Sequence, residues 1–372
     1  WDMACELHDH LRRKGLDLRF KHSVESYEEI PGGVRVHVAG RESIDCSFVV
    51  LAVGVVPESD LARAAGLELG PKGSIAVDSH MRTSDPDIYA VGDAVPVLDP
   101  LTGKLKLTPL AGPANKQGRI AADNICGIDS EYKGTIGSTV IKVFDLTAAC
   151  TGLNEKAAKA AGIAYERIVG YWGNHAGYYP GAENMLVKVL FAPDTGRILG
   201  AQIVGPAGVD KRIDVFATAI RAGLTGADLA ELELSYAPPY GSAKDPVNMC
   251  GFMIENIRAG IVKQFHWDQV AALPRDGSVT LLDVRNPGEY ARGHIDGAVN
   301  IALDGIREHL DELDKSKPVY VNCFSGMRSY IACRILSGSG FDCYNLSGGW
   351  RFYDLTQRGK ADNEHYPCGE RK

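Results

Sequence analysis

The sequence predicts a multidomain chain of mixed α/β and α+β class. Its 372 residues suffice for two or three domains. Strands such as 48–54 are continuously apolar and end in glycine, as strands buried on both faces of an open sheet do. An α+β pattern then runs from about 135 to 260, and after 267 short apolar strands alternate with helical stretches as in a small parallel α/β unit.

Composition narrows the function classes. A content of 45% hydrophobic and 23% charged residues is that of a globular protein. The formal net charge of -7 offers no general attraction for nucleic acid or an anionic membrane. No apolar run approaches the ~20 residues that span a bilayer, and no secretory signal pattern opens the chain. The nine cysteines are scattered and lack CxxC pairs, so neither a disulfide framework nor a metal centre is indicated. A reducing cytoplasm is the expected compartment.

In chain order, Met3, Leu7 and Leu11 mark a helix that begins at once from Trp1, a start that reads as the middle of a domain. Strands are expected at 16–20, 34–38 and 48–54, with a hairpin turn at Gly32-Gly33. After Pro57 come a short helix at 59–65, a strand near 75–77, and the stretch 83–93, which delivers Gly92-Asp93 from an apolar strand. Ligands in open α/β sheets bind at that end of a strand, and Gly92 permits close approach to the backbone. Pro113 lies in the first turn of a following helix, whose N-terminus could receive an anionic ligand edge. Further strands fall at 140–144, 185–190 and 198–205, and helices at 212–222, 226–231 and 246–257. The last third has strands at 279–284, 318–322 and 343–346.

One of these ends in Cys323, where a short loop (Phe324, Ser325, Gly326, Met327, Arg328) opens a helix over 330–336. Loop amides, a helix N-terminus and Arg328 together would draw the thiol pKa below its free value of roughly 8.5 and make it nucleophilic. The competing reading is a cysteine that merely packs, which is the default for Cys333 and Cys343. Cys368, in a polar tail, is expected to be exposed.

Three resemblances follow from these motifs. The segments 51–57 and 83–93 resemble the pyridine nucleotide–disulfide oxidoreductases, namely the exit from their NADH domain and their second FAD motif. That resemblance implies FAD held by Gly92, Asp93, Pro113 and Ala114, with NAD(P)H as co-substrate, and remnants of Rossmann-like FAD/NAD(P)-binding domains at 1–57 and 58–132. Residues 133–262 resemble the family's α+β dimerisation domain, implying a homodimer. The run 236–248 is similar to the coenzyme A-disulfide and persulfide reductase branch, which implies roles for Tyr236 (also beside the flavin) and Tyr178 near the partner subunit's redox centre. Tyr179 and Tyr240 are the substitutes, and Lys244 and Asn115 would contact coenzyme A.

Segments 281–285, Glu289-Tyr290, 293–301 and 346–350 resemble the rhodanese domain, placed at 266–372, in which Cys323 would carry sulfane sulfur. The related dual-specificity phosphatases have a loop one residue longer, so the spacing to Arg328 favours sulfur over phosphate. Asp283, Arg285 and His294 read as groups that satisfy one another. No GxGxxG occurs, and the family's early redox cysteine is not found. About 200 further residues are therefore expected before Trp1 in the intact protein. The expected function is a flavin-dependent NAD(P)H reductase of coenzyme A-linked disulfide, persulfide or polysulfide with a fused sulfurtransferase. The alternatives are an NADH oxidase or peroxidase with an appended rhodanese, or a flavin-free dimerisation module that displays a sulfur carrier.

Overall fold

A computed structural model describes residues 1–362 of the chain, so Cys368 lies outside the described residues. They form two compact units, one of residues 15–137 and one of residues 1–14 with 138–362. Helix α1 (Ala4–Arg13) belongs to the second unit.

In the first unit β1 (Val24–Ile30), β2 (Gly33–Val38) and β3 (Ile44–Cys46) form an antiparallel sheet in that order. The expected hairpin turn forms, with Gly32 in the left-handed region at φ 80°. Helix α2 (Asp60–Ala64), the hairpin β4 (Val97–Asp99) with β5 (Lys104–Lys106), and α3 (Ala111–Ile125) follow. The strands expected at 16–20 and 48–54 do not form. Phe48, Val50, Leu51 and Val56 are exposed, and Val53 is 93% exposed. A doubly apolar strand is stable only between sheet neighbours, and among the described residues this stretch is in no sheet. Likewise 75–77 is reduced to one bridge, Leu69 with Ile75, and 83–93 to a bridge of Arg82 with Tyr89 before a 3-10 turn at Gly92–Ala94.

The second unit contains two sheets. The first holds β6 (Thr139–Val143), β7 (Leu146–Gly152), β8 (Glu166–Gly173), β9 (Asn184–Phe191) and β10 (Ile198–Gly205). All its pairings are antiparallel, in the order β6-β7-β10-β9-β8. Helix α4 (Glu155–Ala161) starts where Asn154 accepts the Ala157 N–H. Helix α5 (Val209–Ala222) buries Ile213, Phe216 and Ile220. Helices α6 (Gly226–Glu231) and α7 (Pro246–Arg258) each open on a capping box, Thr225 with Asp228 and Asp245 with Asn248.

One buried feature was not legible in the pattern. Lys188, in the middle of β9 and 1% exposed, pairs with Asp2 at 2.6 Å and with Glu155. Arg167 on β8 joins Glu155 to Asp268. Burial raises the Glu155 pKa, but Lys188 and Arg167 outweigh it and hold the carboxyl at about 2.

The second sheet is wholly parallel. It comprises β11 (Lys263–Phe265), β12 (Thr280–Asp283), β13 (Val299–Asn300), β14 (Val319–Asn322) and β15 (Cys343–Leu346), ordered β11-β15-β14-β12-β13. Between and after them lie α8 (Pro287–Ala291), α9 (Met327–Gly338) and α10 (Gly349–Asp362). Leu282, Val319, Val321, Ala332 and Leu336 form the core with Cys323, Cys333 and Cys343. None of the eight described cysteines is in a disulfide, and no described helix is long and apolar enough to cross a membrane.

Candidate active site

Strand β14 is central in the parallel sheet, and the chain leaves its C-terminal end at Cys323. The following loop can turn onto α9 because Gly326 sits at φ 103°, a conformation L side chains rarely adopt. The turn points the Gly326 N–H at the Cys323 sulfur, 3.1 Å away. The Ser329 hydroxyl lies 3.3 Å from the same sulfur and 3.2 Å from the Gly326 carbonyl. Helix α9 starts at Met327, three residues earlier than its sequence pattern suggested, so its first turn lies within the loop.

A second helix holds the loop from the other side. In the first turn of α10, the Trp350 N–H donates to the Cys323 carbonyl at 2.7 Å and the Arg351 N–H to the Phe324 carbonyl at 2.9 Å. Both carbonyls are thereby committed to α10, which leaves loop amides to the sulfur. Gly349 makes the approach possible. At φ 63°, a Cβ there would lie 2.7 Å from the Cys323 and Phe324 carbonyl oxygens and 2.8 Å from the Gly326 nitrogen. The sequence flagged Gly348-Gly349 only as part of a family pattern; two adjacent glycines opening a helix beside a reactive loop were the available signal.

Arg328 corrects one expectation. Its guanidinium is not a bare charge beside the sulfur, because it makes two 2.7 Å bonds to the carboxylate of Glu289 on α8. The bond from Arg328 is the main reason that the Glu289 carboxyl is held at about 2. Asp283 and Arg285 pair within the domain, Nη2 to Oδ2 at 2.6 Å, while His294 instead stacks on Tyr290. Cys333 and Cys343 are satisfied core thiols, Cys343 donating to the Cys333 carbonyl at 3.2 Å.

The sulfur of Cys323 is sheltered, the residue being 1% exposed, while Phe324 and Met327 form an exposed apolar rim. Beside Ser325, Gly326 and Met327 opens a cavity of about 340 Å³ walled by Trp172 of β8, by Met249, Phe252 and Met253 of α7, and by Tyr330. Among the described residues no charged side chain lines it.

The other anticipated residues fall in two places. Tyr178 and Tyr236 share a 3.0 Å hydroxyl–hydroxyl hydrogen bond that raises the Tyr236 pKa, and both are exposed. Tyr179 packs edge-on against His175, Tyr240 is exposed, and so is Lys244. In the unit of residues 15–137, Gly92 at φ 79° donates its N–H to Gln117 of α3 at 2.6 Å. This ties the Gly92-Asp93 turn to α3, so that a Cβ on Gly92 would lie 3.8 Å from that of Ala114. Among the described residues no side chain caps the N-terminus of α3, where Pro113 and Ala114 occupy the first turn. Asn115 is exposed and bonds back to the Ala111 carbonyl at 2.9 Å.

Comparison with known proteins follows the same division. Residues 2–118 match the pyridine nucleotide-disulphide oxidoreductase family, 138–246 its dimerisation domain, and 266–354 the rhodanese-like domain. An NADH oxidase of Methanocaldococcus jannaschii is 35% identical over 250 residues, 67% of this chain and 55% of that protein. A coenzyme A disulfide reductase of Staphylococcus epidermidis is 32% identical over 253 residues, 68% of this chain and 56% of that protein. Among solved structures, reduced Bacillus anthracis CoADR-RHD is 46% identical with a TM-score of 0.92, over 96% of this chain and 64% of that one. A NAD-dependent persulfide reductase from A. fulgidus is 39% identical with a TM-score of 0.85, over 95% and 64%. The chain spans about half the length of the curated relatives it matches. On these matches, the chain belongs to the pyridine nucleotide-disulphide oxidoreductase family and carries a rhodanese-like domain after the family's dimerisation domain.

Proposed function

We propose that this chain serves an FAD-dependent NAD(P)H reductase of coenzyme A-linked disulfide, persulfide or polysulfide, and that its rhodanese-like domain carries sulfane sulfur on Cys323. The observation that carries the second half is the 3.1 Å approach of the Gly326 N–H to a sulfur at the end of a central parallel strand. The sulfur there faces an amide N–H, a hydroxyl and the N-terminus of α9, groups able to donate to a sulfur or to a persulfide built on it. Thiolate attack on a donor's outer sulfur forms the carrier, and attack by an acceptor thiolate discharges it.

The residues of the 15–137 unit suit a flavin. Gly92 gives close backbone approach, Asp93 exposes a carboxylate for a hydroxyl-bearing chain, and the uncapped start of α3, with Pro113 and Ala114, offers a positive helix end to the ring's carbonyl edge. A bound flavin would supply two-electron reducing power drawn from NAD(P)H. Lys244 offers an exposed point charge for a coenzyme A phosphate, and Asn115 an amide nearby in role. The Tyr178–Tyr236 pair presents phenol hydroxyls that can hydrogen-bond a substrate sulfur. We assign these tyrosines to the partner's redox centre in a cytoplasmic homodimer, with domains bounded at 1–57, 58–132, 133–262 and 266–372.

The test is rapid-reaction flavin turnover by NADH with coenzyme A persulfide, in the full-length protein and its Cys323→Ser variant. Unchanged persulfide turnover in the variant would remove Cys323 from the relay. Oxygen or peroxide consumption exceeding coenzyme A-disulfide reduction would favour the NADH oxidase reading instead.

A further inference from the structure

We propose that Glu289 selects the sulfur donor: by cancelling the one cation of the loop it disfavours donors with a dianionic head, such as thiosulfate, relative to organic persulfides, whose reacting sulfur end carries at most one charge. The inference rests on the reading of Cys323 as a sulfur carrier.

An arginine five residues after a nucleophilic cysteine is the natural anchor for an anion, since its fork matches two oxygens at once. Here that fork is occupied. Nη1 and Nη2 of Arg328 each bond one oxygen of Glu289 at 2.7 Å. Glu289 is itself held in place, because it stands at the third position of α8 and its Oε2 accepts the Asn286 N–H at 3.2 Å. The neighbouring cation is compensated too. Arg285 pairs with Asp283, donates to the Gly293 carbonyl at 2.7 Å and lies 4.9 Å over the Trp350 ring. Around them the rim is the apolar Phe324 and Met327, and among the described residues the adjoining cavity has no charged lining. Among these residues each cation is balanced by a carboxylate.

The two donor classes place different charge in this setting. With a persulfide R–S–SH, the Cys323 thiolate attacks the outer sulfur, a Cys323–sulfur bond forms, the R–S to sulfur bond breaks, and R–S⁻ leaves with one negative charge. With thiosulfate, the same thiolate attacks the outer sulfur, the sulfur–sulfur bond breaks, and sulfite leaves as a dianion while Cys323 keeps an anionic persulfide. Neither transfer needs an oxidant or reductant. The second brings a dianion against an anionic nucleophile, and a loop whose arginine is already neutralised does little to offset that repulsion.

Glu289→Gln tests this while keeping side-chain size and an acceptor for the Asn286 N–H. Sulfur loading of Cys323, read as thiocyanate released by cyanide, is measured with thiosulfate and with an organic persulfide. The variant should raise kcat/KM for thiosulfate by roughly three- to tenfold, leave the persulfide within about twofold, and lose the gain in 1 M salt, where the Debye length is about 3 Å. Arg328→Gln should move the thiosulfate-to-persulfide ratio the opposite way, which no general folding defect would mimic. The rate of Cys323 alkylation by anionic iodoacetate relative to neutral iodoacetamide should rise in Glu289→Gln in parallel. An active wild-type protein whose donor ratio is unchanged in Glu289→Gln overturns the selection role alone. A wild-type protein that takes sulfur from neither donor overturns the carrier reading and the selection role together.

Discussion

Replacing Gly349 by alanine should displace the Cys323 loop without touching the sulfur. The added Cβ would lie 2.7 Å from two backbone carbonyl oxygens, those of Cys323 and Phe324, and 2.8 Å from the Gly326 nitrogen. None of these is the far end of a flexible side chain, so the backbone itself must shift. The left-handed φ of 63° adds about 1–2 kcal/mol for a non-glycine residue, and overpacking of this kind typically adds about 1–3 kcal/mol. A total near 2–5 kcal/mol corresponds to a fall of roughly 4–20 °C in Tm for a unit of this size. Gly340→Ala is the control, since Gly340 is also left-handed at φ 87° but a Cβ there meets nothing within 4 Å. It should lose only the conformational share, about 1–2 kcal/mol. Both variants are followed by thermal unfolding and by cyanide-released thiocyanate. If Gly349→Ala matched Gly340→Ala in Tm and kept wild-type sulfur loading, the clamp of α10 on the loop would be refuted.

Three other outcomes follow from the structure. Ser329→Ala removes the hydroxyl 3.3 Å from the Cys323 sulfur and should slow sulfur loading by roughly three- to tenfold with little change in Tm, as loss of one ordinary hydrogen bond of about 1 kcal/mol does; unchanged loading would show that the hydroxyl serves only the Gly326 carbonyl. Glu155, held at about 2 against an ordinary 4.5, contributes stability that is present above about pH 4.5 and is lost as pH falls toward 2. Glu155→Gln should flatten that acid loss and destabilise the protein by about 2–4 kcal/mol at neutral pH, because it takes one carboxylate from buried Lys188; denaturant unfolding across pH 2–7 measures both. Tyr236→Phe should leave Tm unchanged, the ring being exposed, yet lower coenzyme A-disulfide reduction in the full-length dimer; a variant of undiminished rate would reduce the Tyr178–Tyr236 pair to surface packing.

Where local pattern and environment agree, the sequence was readable. The helices expected at 226–231 and 246–257 form within a residue of those bounds, each opened by a capping box, and β9, β10, β12, β14 and β15 form where apolar runs lie between turns. The stretch 48–54 was misread because an apolar run reports a preference for burial, while a strand also needs neighbours to hydrogen-bond, and among the described residues it has none in a sheet. At the candidate site, Cys323 and its loop were legible because cysteine, glycine and helix start are close in the chain. Glu289 was noted only as part of a family pattern and Lys188 as one more strand residue, since neither partner is local.

That Cys323 ends a strand, that Gly326 allows the turn after it, and that a helix follows to lend its N-terminus could be read along the chain. Those are properties of backbone sterics and spacing over a dozen residues. The electrostatics came from packing. Arg328 finds Glu289 39 residues away, Lys188 finds Asp2 186 residues away, and the first turn of α10 commits the loop's carbonyls from behind. The physical reason is that a charge is set by what lies within a few ångströms of it, and packing assembles those neighbours from segments that no local periodicity connects.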